Sequence, residues 1–297
     1  MKRILVIILA LTAVFSSCKK KTVVIGPESG KEVEFTAAVE NYSTTKATES
    51  AFEAGDRVRI MAGDPINQTT VGSVSGEKII PEEPMRWRVK QEEPTTFAAV
   101  YQLTPSEPVA PAAETVHYDL LSGTAHHFRR HTAFMVATAT ASPNEPVKLV
   151  FKHPFSKINI VIDNQSQFMV KEVWVKGAVM DATLDLMEKK LVLGSVKKDF
   201  QAVTVGEPKT KNESVEPEWD HYAAVIMPQQ TTLTITVVTQ WGKEYDFVQD
   251  KDFTFKPGTA YQTDLHIDPL VAEPVTMDFT VVPWADGGTL DYEAVTD

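Results

Sequence analysis

Hydrophobic and polar residues alternate with a period of two at several places along the chain. The segments with apolar side chains at every second position are 33–39, 86–90, 147–152, 158–162, 233–237, 261–267 and 275–281. Such alternation is typical of β-strands that bury one face, and no segment shows a convincing amphipathic helix of three turns. The pattern predicts an all-β protein of short strands, with proline and glycine turns between them, and favours β-sandwiches.

The length of 297 residues suits two domains. Hydrophobic residues make up 43% and charged residues 23%, so the chain can bury a core. A proline cluster at Pro143–Pro146 lies near mid-chain and precedes a strong strand pattern. We therefore predict an N-terminal β-sandwich over 18–145 and a C-terminal β-sandwich over 146–297.

The N-terminal residues have the organisation of a secretory signal. Lys2 and Arg3 precede the uncharged run Ile4–Phe15, which is shorter than the ~20 residues needed to span a bilayer. Ser16 and Ser17 then lead to Cys18, the one cysteine of the sequence, as in bacterial lipoprotein signals. This pattern predicts a lipoprotein signal peptide over 1–17 and a lipid (palmitate) on Cys18 that anchors the protein to the outer membrane, at the cell surface. A plain signal peptide with an incidental cysteine is the alternative.

Charge and cysteine content exclude several classes of partner. The formal net charge is -11, which disfavours nucleic acid because binding it requires basic surface. One cysteine excludes an intrachain disulfide framework and a multi-cysteine zinc site. His126, His127 and His131 lie close to Arg129 and Arg130, and these cations predict a solvated basic loop, with no metal bound.

No set of residues has the spacing that catalysis requires. The sequence lacks a Gly-x-Ser-x-Gly elbow, a phosphate-binding glycine loop and an EF-hand. We therefore predict that the protein is not an enzyme and has no cofactor. Trp87, Trp174, Trp219 and Trp241 are scattered along the chain, so we expect core or strand-face aromatics in place of a carbohydrate platform.

Short motifs of one protein family occur in order along the mature chain. They are 33–36 (VEFT), 45–48 (TKAT), 52–58 (FEAGDRV), 118–121 (YDLL), 151–158 (FKHPFSKI), 227–229 (MPQ), 257–261 (PGTAY) and 283–284 (PW). Their order resembles that of the fimbrillin family, the subunits of type V pili in Bacteroidales. The resemblance implies two tandem transthyretin-like Greek-key β-sandwich domains. It also implies a structural subunit, or an accessory or tip adhesin, of a cell-surface fimbria, with other fimbrial subunits as partners in a homo- or heteropolymer.

The family resemblance also implies a mode of assembly. In the family, the lipid-anchored precursor blocks its own groove with its first strand, and a trypsin-like protease removes that strand. A donor strand from another subunit, usually its C-terminal segment, then fills the groove. Here the self-blocking strand would be Lys31–Glu40, with a buried face formed by Val33, Phe35, Ala37 and Val39.

Cleavage is expected between Lys46 and Ala47, within a polar stretch at 41–50. Arg57 and Arg59 are alternative cleavage positions, but they lie beside the strand predicted around Val58 and Ile60 and should be shielded. A further alternative is that Lys46 is a solvated loop lysine. The donor strand could be Val275–Val282 or Thr289–Asp297, and a tip subunit would have no donor. A second hypothesis is a non-polymerising surface lipoprotein that binds a glycan or a host protein.

Overall fold

Apart from two helical residues at 131–132, the regular elements of the described residues are β-strands, as the alternation predicted. The computed structural model describes residues 30–40, 52–101, 115–122, 125–126, 131–166, 168–205, 219–268, 275–282, 284 and 293–295. Its strands are β1 (Phe35–Val39), β2 (Arg57–Ala62), β3 (Gln68–Ser75), β4 (Lys78–Pro81), β5 (Thr95–Tyr101), β6 (Thr115–Asp119), β7 (Leu121–Ser122), β8 (Ala125–His126), β9 (Met135–Ala141), β10 (Val147–Phe151), β11 (Ser156–Asn164), β12 (Val170–Val179), β13 (Asp181–Asp185), β14 (Lys190–Leu193), β15 (Lys197–Gln201), β16 (Val203–Thr204), β17 (Trp219–Ile226), β18 (Gln229–Thr231), β19 (Thr234–Thr239), β20 (Glu244–Val248), β21 (Phe253–Phe255), β22 (Ala260–Ile267), β23 (Val275–Thr276), β24 (Thr280–Val282) and β25 (Glu293–Val295). Within these ranges, no helix has the length and apolar character needed to cross a membrane.

The N-terminal half forms a seven-stranded sheet in the order β10-β1-β4-β3-β2-β5-β9. The two end strands, β9 and β10, lie close together. Val136 of β9 and Lys152, the residue after β10, exchange two backbone hydrogen bonds of 2.9 Å. The sheet therefore curls around its own apolar face. Phe35, Phe97 and Phe151 belong to the core on that inner face.

A four-stranded sheet, ordered β25-β14-β13-β6, packs near the N-terminal sheet. Met61 and Val100 of the N-terminal sheet lie in the same apolar cluster as Leu184 of β13. The Thr138 hydroxyl also donates to the Leu186 carbonyl at 2.9 Å. Strands β2, β5 and β9 are therefore buried on both sides, which explains why their sequences contain runs of apolar residues in addition to alternation.

Two five-stranded sheets form the C-terminal sandwich, in the orders β16-β17-β11-β22-β24 and β15-β12-β19-β20-β23. Ile160 and Leu265 of the first sheet share one core with Val175 and Ile235 of the second. Two small sheets, β18-β21 and β7-β8, complete the described topology. The all-β prediction is confirmed, and the packed sheets have the β-sandwich architecture; the Greek-key description of two domains stays a prediction.

Strand pairing crosses the boundary predicted at 145/146. Strand β10 follows that boundary in the sequence but pairs with β1 in the N-terminal sheet. Strand β6 precedes it but pairs with β13. The division into 18–145 and 146–297 remains a proposal. Because β10 belongs to the N-terminal sheet, a boundary between the two domains on the C-terminal side of β10 is favoured.

Two predicted strands differ from the structure. Trp87 is buried, but 86–90 forms only an isolated bridge between Arg86 and Glu32 and then turns. The segment 275–281 is divided between β23 and β24. In both places only part of the apolar pattern is buried: Trp87, Met277 and Phe279 are buried, whereas Val89, Val275 and Val281 are exposed. Each short stretch pairs with its neighbours over only a few residues.

Candidate functional site

The first strand lies inside the N-terminal sheet, between β10 and β4. It pairs in parallel with β10 over five consecutive residue pairs and antiparallel with β4 over two. The Val33 amide donates to the Met85 carbonyl at 2.9 Å, and the Ala37 amide donates to the Glu77 carbonyl at 2.8 Å. Removing this strand would leave backbone donors and acceptors unpaired along both neighbours, and such open edges attract another strand.

The buried face of this strand is the one that the alternation predicted. Val33, Phe35 and Ala37 are buried, and Phe35 is only 3% exposed, whereas Val39 is half-buried. The Phe35 ring packs edge-to-face on Phe97, with 5.6 Å between ring centroids. Burying a valine or phenylalanine contributes about 1.5–3 kcal/mol. An empty β1 site would therefore be an apolar groove exposed to water.

A partly buried ion pair fixes the C-terminal end of the strand. The Glu40 carboxylate lies 2.8 Å from the Lys152 ammonium, and the two side chains are only 26% and 20% exposed. The Glu40 amide also donates to the Phe151 carbonyl at 3.1 Å. Because such a pair loses much of its hydration, position 40 of the groove favours a negative charge opposite Lys152.

The chain resumes at Phe52, close to the point where β1 ends. The Phe52 ring is 4.9 Å from the Phe151 ring and 5.1 Å from the Tyr101 ring, both edge-to-face. Glu40 and Phe52 thus both contact Phe151, so these two residues lie close together in the structure. The predicted cleavage residues Lys46 and Ala47, and the predicted lipidation residue Cys18, lie outside the described residues.

A buried tyrosine fixes the turn that follows Phe52. Gly55 has φ of +96°, a conformation that suits glycine. The Asp56 carboxylate accepts the Glu53 amide at 2.8 Å. Burial, together with the charge and hydrogen bond of Asp56, raises the pKa of Tyr101 well above its ordinary value. Tyr101 therefore stays neutral and holds Asp56 at the end of the sheet.

The opposite end of β1 is anchored by the loop around Trp87. The Trp87 amide donates to the Lys31 carbonyl at 3.0 Å, and Arg86 pairs with Glu32. A Cβ atom on Gly30 would lie 2.1 Å from the Trp87 carbonyl oxygen, so the backbones approach closely there. The sequence did not predict this loop as part of the site, although Trp87 itself was an expected core residue.

Two histidines, His131 and His153, are buried. The expectation of a solvated basic loop is wrong for His131, which is buried, with Nε2 2.8 Å from the Leu120 carbonyl and Nδ1 3.1 Å from the Tyr118 hydroxyl. His153 is also buried and stacks on Trp284, with centroids 4.7 Å apart. His127, Arg129 and Arg130 lie outside the described residues. Elsewhere in the described chain, no three potential metal ligands converge.

The two donor candidates make different contacts. In Val275–Val282, strand β23 pairs with β20 and strand β24 pairs with β22, while Met277 and Phe279 between them are buried. Of Thr289–Asp297, the part in β25 pairs in parallel with β14 over three residues. The first segment is thus attached to the C-terminal core, and the second adds to a sheet edge.

The outer face of the β11 sheet has a depression of about 540 Å³. Asn159, His221 and Gln262 are polar side chains of its lining, together with Val161. Amide and imidazole groups in a shallow depression can hydrogen-bond a polar ligand.

On the second C-terminal sheet, Trp241 lies in the turn between β19 and β20 and is 76% exposed, which differs from the expected core or strand-face position.

Comparison with known proteins places these features in a wider group. A family model described as fimbrillin-like matches residues 45–284. A proposed cell adhesion protein from Bacteroides uniformis has a similar fold, with a TM-score of 0.60 and 14% identity over 85% of this chain and 98% of its own. A proposed cell adhesion protein from Bacteroides ovatus has a TM-score of 0.61 and 15% identity, and the match covers 89% of this chain and 100% of that protein. The C-terminally truncated tip fimbrial protein Mfa3 from Porphyromonas gingivalis has a TM-score of 0.51 and 10% identity, and the match covers 84% of this chain and 99% of that protein. Among curated protein sequences, none matches this chain significantly.

Proposed function

The chain belongs to the fimbrillin-like family, and on that basis we propose that it is a subunit or adhesin of a cell-surface fimbria. The family match over 45–284 supports this role, as does a fold shared with a tip fimbrial protein and with proposed cell adhesion proteins. The role is structural and not enzymatic. Its partners are other fimbrial subunits, and its location is the cell surface.

The proposal includes export as a lipoprotein anchored through Cys18. The uncharged run at 4–15 and the small residues before Cys18 support it. Replacing Cys18 with Ala removes the thiol that carries the lipid, so we expect the protein to leave the membrane fraction. Continued partition of Cys18→Ala with outer membranes, measured by fractionation, would contradict the lipoprotein proposal.

Assembly proceeds by strand exchange after β1 is removed. The position of β1 between β10 and β4 is the observation that carries this proposal. A cut within 41–51 would separate β1 from the rest of the chain while Phe52 stays packed on Phe151 and Tyr101. The sheet would then lack one internal strand, and a strand from another subunit could restore both its backbone bonds and its core.

Limited proteolysis tests this mode of assembly. Purified precursor is treated with a trypsin-like protease, and the products are examined by mass spectrometry and gel electrophoresis. We expect one early cut after Lys46, followed by a ladder of oligomers. The Lys46→Ala variant, its matched control, should stay intact and monomeric. Early cleavage at many sites, or a cut chain that remains monomeric, would count against strand exchange.

The depression on the β11 sheet favours a second candidate function, the binding of a polar ligand such as a glycan without polymerisation. Asn159 and Gln262 are directly opposite each other on β11 and β22 and line the depression. Uncut protein would then bind on a glycan array, and Asn159→Ala would weaken binding. Thr36→Ala, on β1, is the matched control and should leave such binding unchanged.

A further inference from the structure

Trp174 lies on the outer face of the second C-terminal sheet. It belongs to β12 and is the register partner of Thr236 on β19 and of Gln201 on β15. Its neighbours along the strand, Val173 and Val175, are buried in the core. Alternation therefore directs the Trp174 side chain outward, where it is only partly buried. This face is on the opposite side of the C-terminal sandwich from the depression on the β11 sheet.

Polar contacts hold the Trp174 ring in one orientation. Its Nε1 donates to one oxygen of the Glu172 carboxylate at 3.0 Å, and the other oxygen lies 3.1 Å from the Lys171 ammonium. The hydrogen bonds from Trp174 and Lys171 lower the pKa of Glu172, so this carboxylate stays charged and continues to accept the indole N–H. A ring that is already positioned loses little conformational freedom when a ligand stacks on it.

Polar groups flank the ring on the same face. Thr236 is buried, and its hydroxyl donates to Oδ1 of Asp246, its register partner on β20, at 2.5 Å. In the described part of the chain, Oδ2 of Asp246 accepts no hydrogen bond. Gln201 is exposed on the other side of Trp174. A carboxylate and an amide are therefore available to the hydroxyl groups of a ligand on the indole.

A second tryptophan, Trp241, is exposed in the turn that joins β19 to β20 of the same sheet. The turn is held in place, because the Gln240 amide donates to the Met169 carbonyl at 2.9 Å and Gly242 adopts φ of +78°. Tryptophan is highly buried on average, so its exposure on a fixed turn calls for a ligand. The backbone from Thr236 to Gln240 covers about 13 Å, which leaves room for several linked sugar rings between the two indoles.

The charges of this surface balance. Strands β12, β19 and β20 and the turn between the last two contain three acidic residues, Glu172, Glu244 and Asp246, and three basic residues, Lys171, Lys176 and Lys243. The whole chain, in contrast, has a net charge of -11. A surface that binds a charged polymer has an excess of the opposite sign. The balance therefore favours a neutral ligand.

The apolar part of the surface is too small for a protein partner. Val238 is half-buried beside Glu172 and Val248 is exposed, whereas the other outward positions of β19 and β20 are polar. A stable protein interface takes about 800 Å² from each partner and has an apolar centre. A sugar ring needs far less, because one C–H face stacks on an aromatic ring while its hydroxyl groups bond polar side chains.

We propose that the outer face of the β15-β12-β19-β20 sheet binds a neutral oligosaccharide, with one sugar ring stacked on Trp174 and a more distant ring on Trp241. Oδ2 of Asp246 accepts a proton from one hydroxyl group of the sugar, and the Gln201 amide bonds another. The inference goes beyond the proposed fimbrial role, since it concerns a ligand of the folded subunit. It names a different surface from the β11 depression and does not require strand exchange.

Oligosaccharide binding to the uncut protein tests the inference. An array of neutral and sialylated oligosaccharides is screened, and the neutral compound that binds best is titrated by calorimetry. We expect Trp174→Ala to weaken binding about tenfold or more and Trp241→Ala about threefold or more. Ile80→Ala, which shortens an exposed apolar side chain of the N-terminal sheet, is the matched control and should leave binding unchanged.

Two further measurements separate stacking from a loss of folding. Trp174→Phe keeps an aromatic ring and should bind within about threefold of the wild type. In NMR spectra of the wild type, the ligand should shift the indole N–H signals of Trp174 and Trp241. The signals of Trp87 and Trp284, which are buried, should stay in place.

The outcomes distinguish this face from the depression and from assembly. Loss of binding in Asn159→Ala, but not in Trp174→Ala or Trp241→Ala, would locate the ligand in the depression and overturn the inference. An array with no neutral ligand, or with a preference for sialylated compounds, would overturn it as well. Oligomer ladders after protease treatment should be the same for Trp241→Ala and the wild type, so failure of the sugar test leaves strand exchange untouched.

Discussion

At the scale of single residues, Phe35 makes the largest apolar contribution of β1. Its ring is buried and packs edge-to-face on Phe97. We expect Phe35→Ala to lower the free energy of unfolding by about 3–5 kcal/mol, measured by urea denaturation of the uncut protein. Ala38→Ser, on the exposed face of the same strand, is the control and should change it by less than about 0.5 kcal/mol. Equal losses in both variants would mean that β1 does not contribute through its inward side chains.

Tyr101 makes a pH-dependent contribution. Burial and the neighbouring Asp56 raise its pKa above the ordinary value of 10, so the folded protein holds the phenolic proton more tightly than the unfolded chain. Stability from this effect is complete below pH 10 and is lost as the pH rises above it. We expect the wild type to lose more unfolding free energy than Tyr101→Phe between about pH 8 and about pH 11. Tyr245→Phe, a half-buried tyrosine in β20, serves as control, and parallel slopes for wild type and Tyr101→Phe would refute the prediction.

Residues on regular strands were predictable from the sequence because their environment follows from alternation. Val33, Phe35 and Ala37 are examples. His131 was not, because its burial depends on Tyr118 and Leu120, which reach it from another element. The exposure of Trp241 was missed for a related reason: residue type alone does not show that an aromatic side chain lies in a turn.

At the scale of elements, the N-terminal anchor of β1 can be tested separately from its buried face. A Cβ at Gly30 would meet the Trp87 carbonyl oxygen at 2.1 Å, and this oxygen belongs to backbone that cannot move freely. We expect Gly30→Ala to loosen the start of the strand and to speed amide hydrogen exchange at Val33 by about tenfold or more.

Gly63→Ala is the matched control for this prediction. Its Cβ would lie 3.4 Å from the Thr96 carbonyl oxygen, which is an ordinary contact. Exchange at Val33, measured by NMR, should then match the wild type. If Gly30→Ala also leaves that exchange unchanged, the Trp87 loop does not anchor β1.

Element types could be predicted better than element partners. Strands β1, β10, β11 and β22 were evident from alternation, but nothing local indicates that β10 joins β1 or that β6 joins β13. The segment 86–90 had a strand pattern, yet its backbone meets Glu32 at one bridge and then turns. Pairing depends on distant segments, and the sequence of one strand carries little information about them.

At the scale of the whole molecule, one apolar cluster connects the N-terminal and C-terminal sheets. It extends from Met61 and Val100 through Leu184 to Phe279. We therefore expect a single cooperative thermal transition, and Phe279→Ala should shift it as a whole, with a loss of about 3–5 kcal/mol. Val281→Ala is the control because Val281 is 71% exposed. Two separate calorimetric transitions, with only one displaced, would show that the halves unfold independently.

The parallel alignment of β1 with β10 has a consequence for long assemblies. Under the proposed strand exchange, a strand that replaces β1 in the same orientation joins two different surfaces, the groove of one molecule and a donor segment of the next. The contact is then head-to-tail and does not close on itself by twofold symmetry. A filament built in this way is polar. One terminus of that filament would display an unfilled groove and the other an unused donor segment, so growth and arrest could be controlled at opposite ends.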